Sequence, residues 1–339
     1  MGTLTTDYEL VIIGAGPAGL SAAVYAAREG MRTVVFDKGV VGGMAALTDI
    51  IDNYPGFDKG VSGLDLADHL HDHATRFGAN VKTGVTVTSL EKTTDHIIVR
   101  TSDGPISTGA VLIATGSTYK YLGVPGEKDF VGRGVHFCAT CDAPLYRGKD
   151  LIVVGGGNSA IQESLFIAKF AKHVTLLVRG PELGGTKYLK DELQALPNVS
   201  FRYDTVVTEI RNDGTKVTGI HTKNHSTGDN RDLRTDAVFV FIGLTANSEA
   251  FTDTLKLDDR GFIVTDADYA TSVPGIYAAG DVRSGSTWQI ASAVGEGVTA
   301  TMSIREHLNT RRRAQAKRKA KAAVTKKAAP TRKAKSLKV

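Results

Sequence analysis

The chain has 339 residues, of which 42% are hydrophobic and 23% charged, a balance that suits a soluble globular protein of about two domains. No apolar run is long enough to cross a membrane and the N-terminus lacks a secretory pattern, so a membrane protein is excluded and a cytoplasmic setting is expected. The net charge of +5 is uneven: residues 310–339 hold 13 of the 41 Lys/Arg and no Asp/Glu, leaving 28 basic against 36 acidic residues in 1–309, a net of −8.

Residues 8–14 read as a buried parallel strand. Gly14-Ala15-Gly16-Pro17-Ala18-Gly19 follows, then an Ala-rich helix to about Arg28, ended by Gly30. The next strand, 33–36, finishes at Asp37. In this pattern Gly14 makes the tight turn, Gly16 lets a pyrophosphate approach the backbone and Gly19 packs helix on strand. The helix N-terminus faces the phosphates, and Asp37 is placed to accept from a ribose hydroxyl. The strand, helix and acid in register make the glycine pattern a strong dinucleotide signal.

Residues 40–44 and 52–56 are loops by their glycine and proline content. Residues 63–77 have helical spacing and carry His69, His71 and His73, whose alternation suits a solvated face; no metal is expected. Short strands follow at 85–90 and 96–100, then a buried strand at 110–116 ending in Ala114-Thr115-Gly116.

Cys138 and Cys141 are the only cysteines. Such a Cys-x-x-Cys pair closes a disulfide, opens it with two electrons and passes them on by exchange. Asp142 is positioned to supply or remove a proton. The alternative is half of a zinc site, but structural zinc takes four ligands and no second pair is present. A second fingerprint, Gly155-Gly156-Gly157-Asn158-Ser159-Ala160, follows a strand at 151–154, with the third glycine replaced by Ala160. The next strand, 173–178, ends at Arg179, which favours a 2′-phosphate. Further buried strands read at 237–243 and 275–281, then a helix from about Gln289.

Two dinucleotide sites with a dithiol between them imply a relay from a diffusible donor through a bound redox cofactor. The expected fold is α/β with two Rossmann-like domains, the second inserted in the first. The first is discontinuous, 1–116 and 246–309; the second, 117–245, carries the cysteines. Residues 310–339 read as a disordered basic tail, either simply solubilising or touching nucleic acid or an acidic partner.

The pattern resembles the low-molecular-weight thioredoxin reductases over about residues 5–308. The resemblance rests on residues 14–20, Asn53-Tyr54-Pro55-Gly56, Ala114-Thr115-Gly116, Gly132-Arg133-Gly134-Val135, Cys138-Ala139-Thr140-Cys141-Asp142, residues 155–160 and Ala278-Ala279-Gly280-Asp281-Val282. It implies FAD on the first fingerprint, with Gly280 and Asp281 holding its ribityl and phosphate region and Asn53 near its ring. It also puts Gly43, Ala114, Gly116 and Gln289 among the FAD contacts, and NADPH on Gly155, Gly157, Asn158, Ala160 and Arg179. It implies that Cys141 faces the flavin, that Cys138 attacks the substrate disulfide and that Asp142 moves the thiol protons. Thioredoxin or a thioredoxin-like protein is the implied partner, the implied assembly is a homodimer, and the inserted domain is expected to rotate.

Some positions depart from the family. Only Arg179 stands where NADPH-selective members carry several arginines, and Glu182 follows it, with Lys187 as a candidate replacement. Each charge-assisted bond to a phosphate is worth about 1.5–3 kcal/mol, so NADH use stays open. Met44 replaces a glutamine, and Trp288 stands where a basic residue precedes Gln289; Trp288 lies near the ring or packs in a core or interface. The alternatives to thioredoxin reduction are reduction or oxidation of another dithiol partner and, in a different class, a redox-sensing nucleic-acid-associated protein using the tail.

Overall fold

The computed structural model describes residues 6–48, 50–51 and 53–328, with side chains to residue 318. The helices are α1 (Pro17–Arg28), α2 (Gly63–Arg76), α3 (Ala139–Asp142), α4 (Asn158–Ile167), α5 (Lys187–Gln194) and α6 (Ile290–Ala328). The first strands are β1 (Tyr8–Ile13), β2 (Thr33–Phe36), β3 (Asn80–Lys82), β4 (Val87–Lys92), β5 (Ile97–Thr101) and β6 (Gly104–Ile113). Then come β7 (Ser117–Tyr119), β8 (Val135–His136), β9 (Asp150–Val154), β10 (His173–Leu177) and β11 (Val199–Arg202). The remainder are β12 (Thr205–Asn212), β13 (Val217–Asn224), β14 (Asn230–Arg234), β15 (Ala237–Val240), β16 (Leu244–Ala246) and β17 (Ile276–Ala278).

The chain divides into two compact units. One comprises the chain up to Gly43, Ala67–Gly116 and the chain from Ser248; the other comprises Met44–Leu66 and Ser117–Asn247. The segment from Met44 to Leu66 therefore groups with the cysteine-bearing unit, whereas the sequence reading placed it with the first.

In the first unit the sheet runs β3-β2-β1-β6-β5-β4, with β17 also paired to β6. The pairs β1–β2, β1–β6, β2–β3 and β6–β17 are parallel, and β4–β5 and β5–β6 antiparallel. The parallel centre is covered on both faces, so β1 carries a continuous apolar run, Leu10-Val11-Ile12-Ile13, rather than an alternating one. Leu10, Ile12 and Leu112 face a layer with Leu20, Ala23, Ala300 and Ile304 from α1 and α6. Val11, Ile13 and Val111 face the other way, against Val99, Phe251 and Ile263. The two helices cross closely because of Gly297, where a Cβ would lie 2.1 Å from the Ala18 oxygen.

In the second unit a wholly parallel sheet runs β11-β10-β9-β15-β8. Its core, around Leu151, Val153, Ile161, Leu176 and Phe239, also takes in Ala139 and Ala143 beside the cysteines. Both central sheets carry the order of a dinucleotide-binding fold, the third strand, second, first and then the returning strand. An antiparallel meander β12-β13-β14 and the pair β7–β16 complete this unit. Neither the meander nor α5 was anticipated from sequence.

Residues 310–328 of the basic tail, expected to be disordered, continue α6; Ala, Lys and Arg are strong helix formers, so propensity extends a helix already nucleated on the body. Arg312 binds the buried Glu9 at 2.5 Å, and Arg311 donates to the carbonyls of Gly109 and Asp95. With Arg318 paired to Asp95 at 3.9 Å, three of the tail's cations meet the body. The tail beyond residue 328 lies outside the described residues. Among the described residues, no helix is long and apolar enough to cross a membrane.

Candidate active site

The first fingerprint sits where β1 meets α1. Gly14 has φ +109°, and a Cβ there would lie 2.3 Å from the Ala114 oxygen. At Gly19 a Cβ would lie 1.9 Å from the Gly14 oxygen. Only glycine lets the helix start this close to the sheet. Gly16, the N-cap of α1, differs: nothing lies within 4 Å of where its Cβ would be. That open space at a helix N-terminus suits a pyrophosphate. Asp37 Oδ2 accepts the Ala15 N–H at 2.7 Å, and Oδ1 accepts from Gly39 at 2.7 Å. Each oxygen keeps a lone pair for a ribose hydroxyl.

Other predicted residues converge here. The Gly42 N–H donates to the Ala15 oxygen at 2.8 Å, and Gly43 lies against Gly16. Buried Ala114 bonds Ile13 at 2.7 Å, and Gly116 follows with φ +68°. Gly280, at φ +75°, packs on Ala18 and donates to Glu296 Oε2 at 2.7 Å. Asp281 accepts from Ser286 at 3.1 Å; burial, opposed by that bond and aided by the Glu296 charge, pushes its carboxyl up to about 6. Glu296 is held by Arg283 at 2.7 and 2.8 Å. Gln289 starts α6 by accepting the Ala293 N–H. Trp288 has φ +52°, packs against Phe262 at 6.2 Å and leaves its buried Nε1 without a hydrogen-bond partner. The open N-cap, the nearby carboxylate and the buried Asp281 fit FAD.

The second fingerprint repeats the geometry. Gly155 has φ +149°, and its Cβ would lie 2.4 Å from the Phe241 oxygen and 2.8 Å from the Cβ of buried Ala160. Gly157 caps α4 with open space around it. Asn158 Oδ1 accepts the Thr186 N–H at 2.9 Å, tying the loop before α5 to the fingerprint. Arg179 is exposed just after β10, and Glu182 is exposed nearby. Lys187, largely exposed, pairs with Asp191 at 2.5 Å one turn along α5.

Cys138 and Cys141 form a disulfide with Cα atoms 5.3 Å apart. Cys138 is the N-cap of the single-turn α3, and its sulfur accepts the Cys141 N–H at 3.2 Å, a contact that favours a thiolate there once the bond opens. Asn53, expected beside a flavin ring, has Nδ2 4.0 Å from Cys141 Sγ. Asp142 Oδ2 lies within ion-pair distance, 3.2 Å, of Nδ1 of His136, a residue that sequence reasoning missed. His136 Nε2 is 2.9 Å from the Tyr146 hydroxyl. Glu163 of α4 accepts the Ala139 N–H, and burial raises its carboxyl above the ordinary range. The available signal for His136 was a titratable residue in an apolar strand two positions before the first cysteine. His69 and His73 are exposed on α2, and among the described residues no group of three His, Cys, Asp or Glu is arranged to hold a metal.

The profile of the pyridine nucleotide-disulphide oxidoreductases matches residues 8–297. The chain is 38% identical over 307 residues to a thioredoxin reductase of Treponema pallidum, covering 91% of this chain and 99% of that one. It is 36% identical over 301 residues to a thioredoxin reductase of Bacillus subtilis, covering 89% and 95%. The crystal structure of a thioredoxin reductase from Streptococcus pyogenes matches with a TM-score of 0.85 at 38% identity, over 89% of this chain and 98% of that one. Two glycine cradles, a disulfide beside an acid and these likenesses over nearly the whole body agree. The chain belongs to the pyridine nucleotide-disulphide oxidoreductase family, as a low-molecular-weight thioredoxin reductase with FAD and a pyridine nucleotide as its cofactors.

Proposed function

We propose that the chain reduces the disulfide of thioredoxin through Cys138 and Cys141, preferring NADPH as donor. The observation that carries this is the Cys138–Cys141 disulfide on a one-turn helix ending in Asp142, in the same unit as an open dinucleotide cradle. FAD, when bound, accepts an electron pair from the nicotinamide and supplies it to the disulfide. Gly14, Gly16, Gly19, Asp37, Gly43, Ala114, Gly116, Gly280, Asp281 and Gln289 hold it. Gly155, Gly157, Asn158, Ala160 and Arg179 hold the nicotinamide dinucleotide. Cys138 attacks the substrate, Cys141 resolves the mixed disulfide and Asp142 carries protons. The unit rich in FAD contacts is the FAD domain and the other the NADPH domain. A cytoplasmic homodimer is the working assembly, and the tail beyond Arg312 makes weak contacts with nucleic acid or acidic partners.

Exposed Arg179 with Glu182 close in sequence, and Lys187 bound to Asp191, favour a modest rather than strict preference for NADPH over NADH. The test is steady-state turnover of FAD-loaded protein with thioredoxin, comparing the two donors, with Arg179→Ala beside the native chain. Efficient NADPH oxidation that narrows toward NADH in Arg179→Ala supports the reading. Flavin reduction without thioredoxin turnover would assign another disulfide partner.

A further inference from the structure

We infer that His136 and Tyr146 are positioning residues for the proton work of Asp142, forming with it a carboxylate–imidazole–phenol chain behind the disulfide. This rests on the reading that Asp142 moves the thiol protons. His136 is 4% exposed and lies on β8, pinned beside Phe239 by the β8–β15 pairing. Its two ring nitrogens meet two different groups: Asp142 Oδ2 at 3.2 Å and the Tyr146 hydroxyl at 2.9 Å. An ionised carboxylate only accepts, so Nδ1 carries the proton. The neutral ring then accepts at Nε2, and the phenol donates there. Burial, with Asp142 and Asp236 adding to it, raises the Tyr146 hydroxyl and keeps it a donor. This assignment gives both ring nitrogens and the phenol hydroxyl a partner.

The charged groups around it are few. Asp142 faces the ring from α3, and Tyr146 from the turn that follows. Asp236 lies toward Tyr146 and is paired with Lys149 at 3.6 Å. Glu163 reaches the same turn from α4 through the Ala139 N–H. Phe239 closes the remaining side, its ring 5.2 Å from that of His136.

The chain reaches the thiols through α3. Asp142 is four residues beyond Cys138, and its N–H donates to the Cys138 oxygen at 3.2 Å. That bond closes the single turn that carries both residues. In the exchange the Cys138 thiol gives its proton to Asp142, and its sulfur attacks one sulfur of the substrate disulfide. The Cys138–substrate bond forms as the substrate S–S bond breaks, and the departing sulfur takes the proton back. Cys141 then attacks Cys138, loses its proton, restores the intramolecular bond and frees the second substrate sulfur as a thiol. Two electrons and two protons pass from the dithiol to the substrate, and Asp142 ends as it began. The close Nδ1 contact holds the carboxylate oriented between transfers.

The experiment uses the full chain loaded with FAD. Thioredoxin reduction driven by NADPH is followed at steady state, beside single-turnover reduction of the flavin by NADPH. His136→Phe is expected to lower kcat with thioredoxin about tenfold, less than the 10²–10⁴ of a group that transfers the proton itself. Flavin reduction and the KM for thioredoxin hold. His136→Asn, whose amide nitrogen can donate near the Nδ1 position, recovers most of the rate, and Tyr146→Phe shows a smaller loss. A native kcat in His136→Phe, with Asp142→Asn slow, overturns the positioning role and leaves Asp142 in place. A native rate in Asp142→Asn overturns the acid–base reading beneath it. Equal loss of flavin reduction and thiol exchange in His136→Phe would make the histidine merely structural. If the Phe variant does not fold, Tyr146→Phe decides, and a native kcat there overturns the chain.

Discussion

Gly155 and Gly157 stand two residues apart in one turn, yet the structure assigns them opposite costs. Gly157 has φ −89° and ψ −179°, an extended conformation that any residue adopts, and a methyl there meets no atom within 4 Å. Gly157→Ala is therefore expected to hold or raise stability, by about 0.4–1 kcal/mol, because alanine restricts the unfolded chain. The same methyl fills the space a pyrophosphate needs at the N-terminus of α4. Losing one charge-assisted N–H contact costs about 1.5–3 kcal/mol, which weakens nicotinamide binding between about tenfold and about 150-fold. Gly155→Ala is the reverse. Its Cβ would lie 2.4 Å from the Phe241 oxygen, at φ +149°. Strand and helix must separate, at about 1–3 kcal/mol for overpacking and about 1–3 more for backbone strain. Denaturant unfolding of the two variants, with NADPH affinity from the rate of flavin reduction against donor concentration, separates the effects. If Gly157→Ala bound NADPH like the native chain, the phosphates would not lie at this helix end and the assignment of the second cradle would fail.

Arg283→Met should lower the unfolding free energy by about 3–5 kcal/mol in denaturant, because it strands the Glu296 carboxylate, 7% exposed, with its bidentate partner gone; a loss under about 1 kcal/mol would show that water reaches the acid. Asp281 in the folded chain holds its proton to about 6 against an ordinary 3.8. Its contribution to stability is therefore full below the ordinary value and is lost as pH rises through about 6, amounting to about 3 kcal/mol. In FAD-free protein, Asp281→Asn should flatten the fall in Tm over that window, and an unchanged slope would assign the fall to another group. Trp288 is the only tryptophan and directly precedes Gln289. FAD added to apoprotein should quench its emission, and unquenched emission in the loaded protein would put the flavin away from this turn.

Both glycine turns were legible in the sequence because their geometry is local. Gly14, Gly19 and Gly155 each sit where a Cβ would strike backbone within 2.4 Å, and the requirement for glycine is written at the position that has it. The buried cores of β1 and β9, residues 10–13 and 151–154, were legible as apolar runs for the same reason, each being covered on both faces. The cysteine pair and Asp142 are neighbours in the chain, so their joint chemistry needed no fold to bring them together. The meander β12-β13-β14 lacked that advantage, since its strands mix polar and apolar residues and declare themselves only by pairing with one another. Composition described residues 310–339 as solvated, but it did not say that Arg311 and Arg312 would meet Gly109, Asp95 and Glu9 at the end of a continuing helix. The pairing of Lys187 with Asp191 was visible only once α5 set them one turn apart. The tertiary structure alone decided that His136, on a strand held by β15, would meet Asp142 and Tyr146. Turns and buried strands follow from sterics within a few residues, whereas the partner of a buried polar atom is chosen by which distant elements pack together, and that choice leaves no period in the sequence.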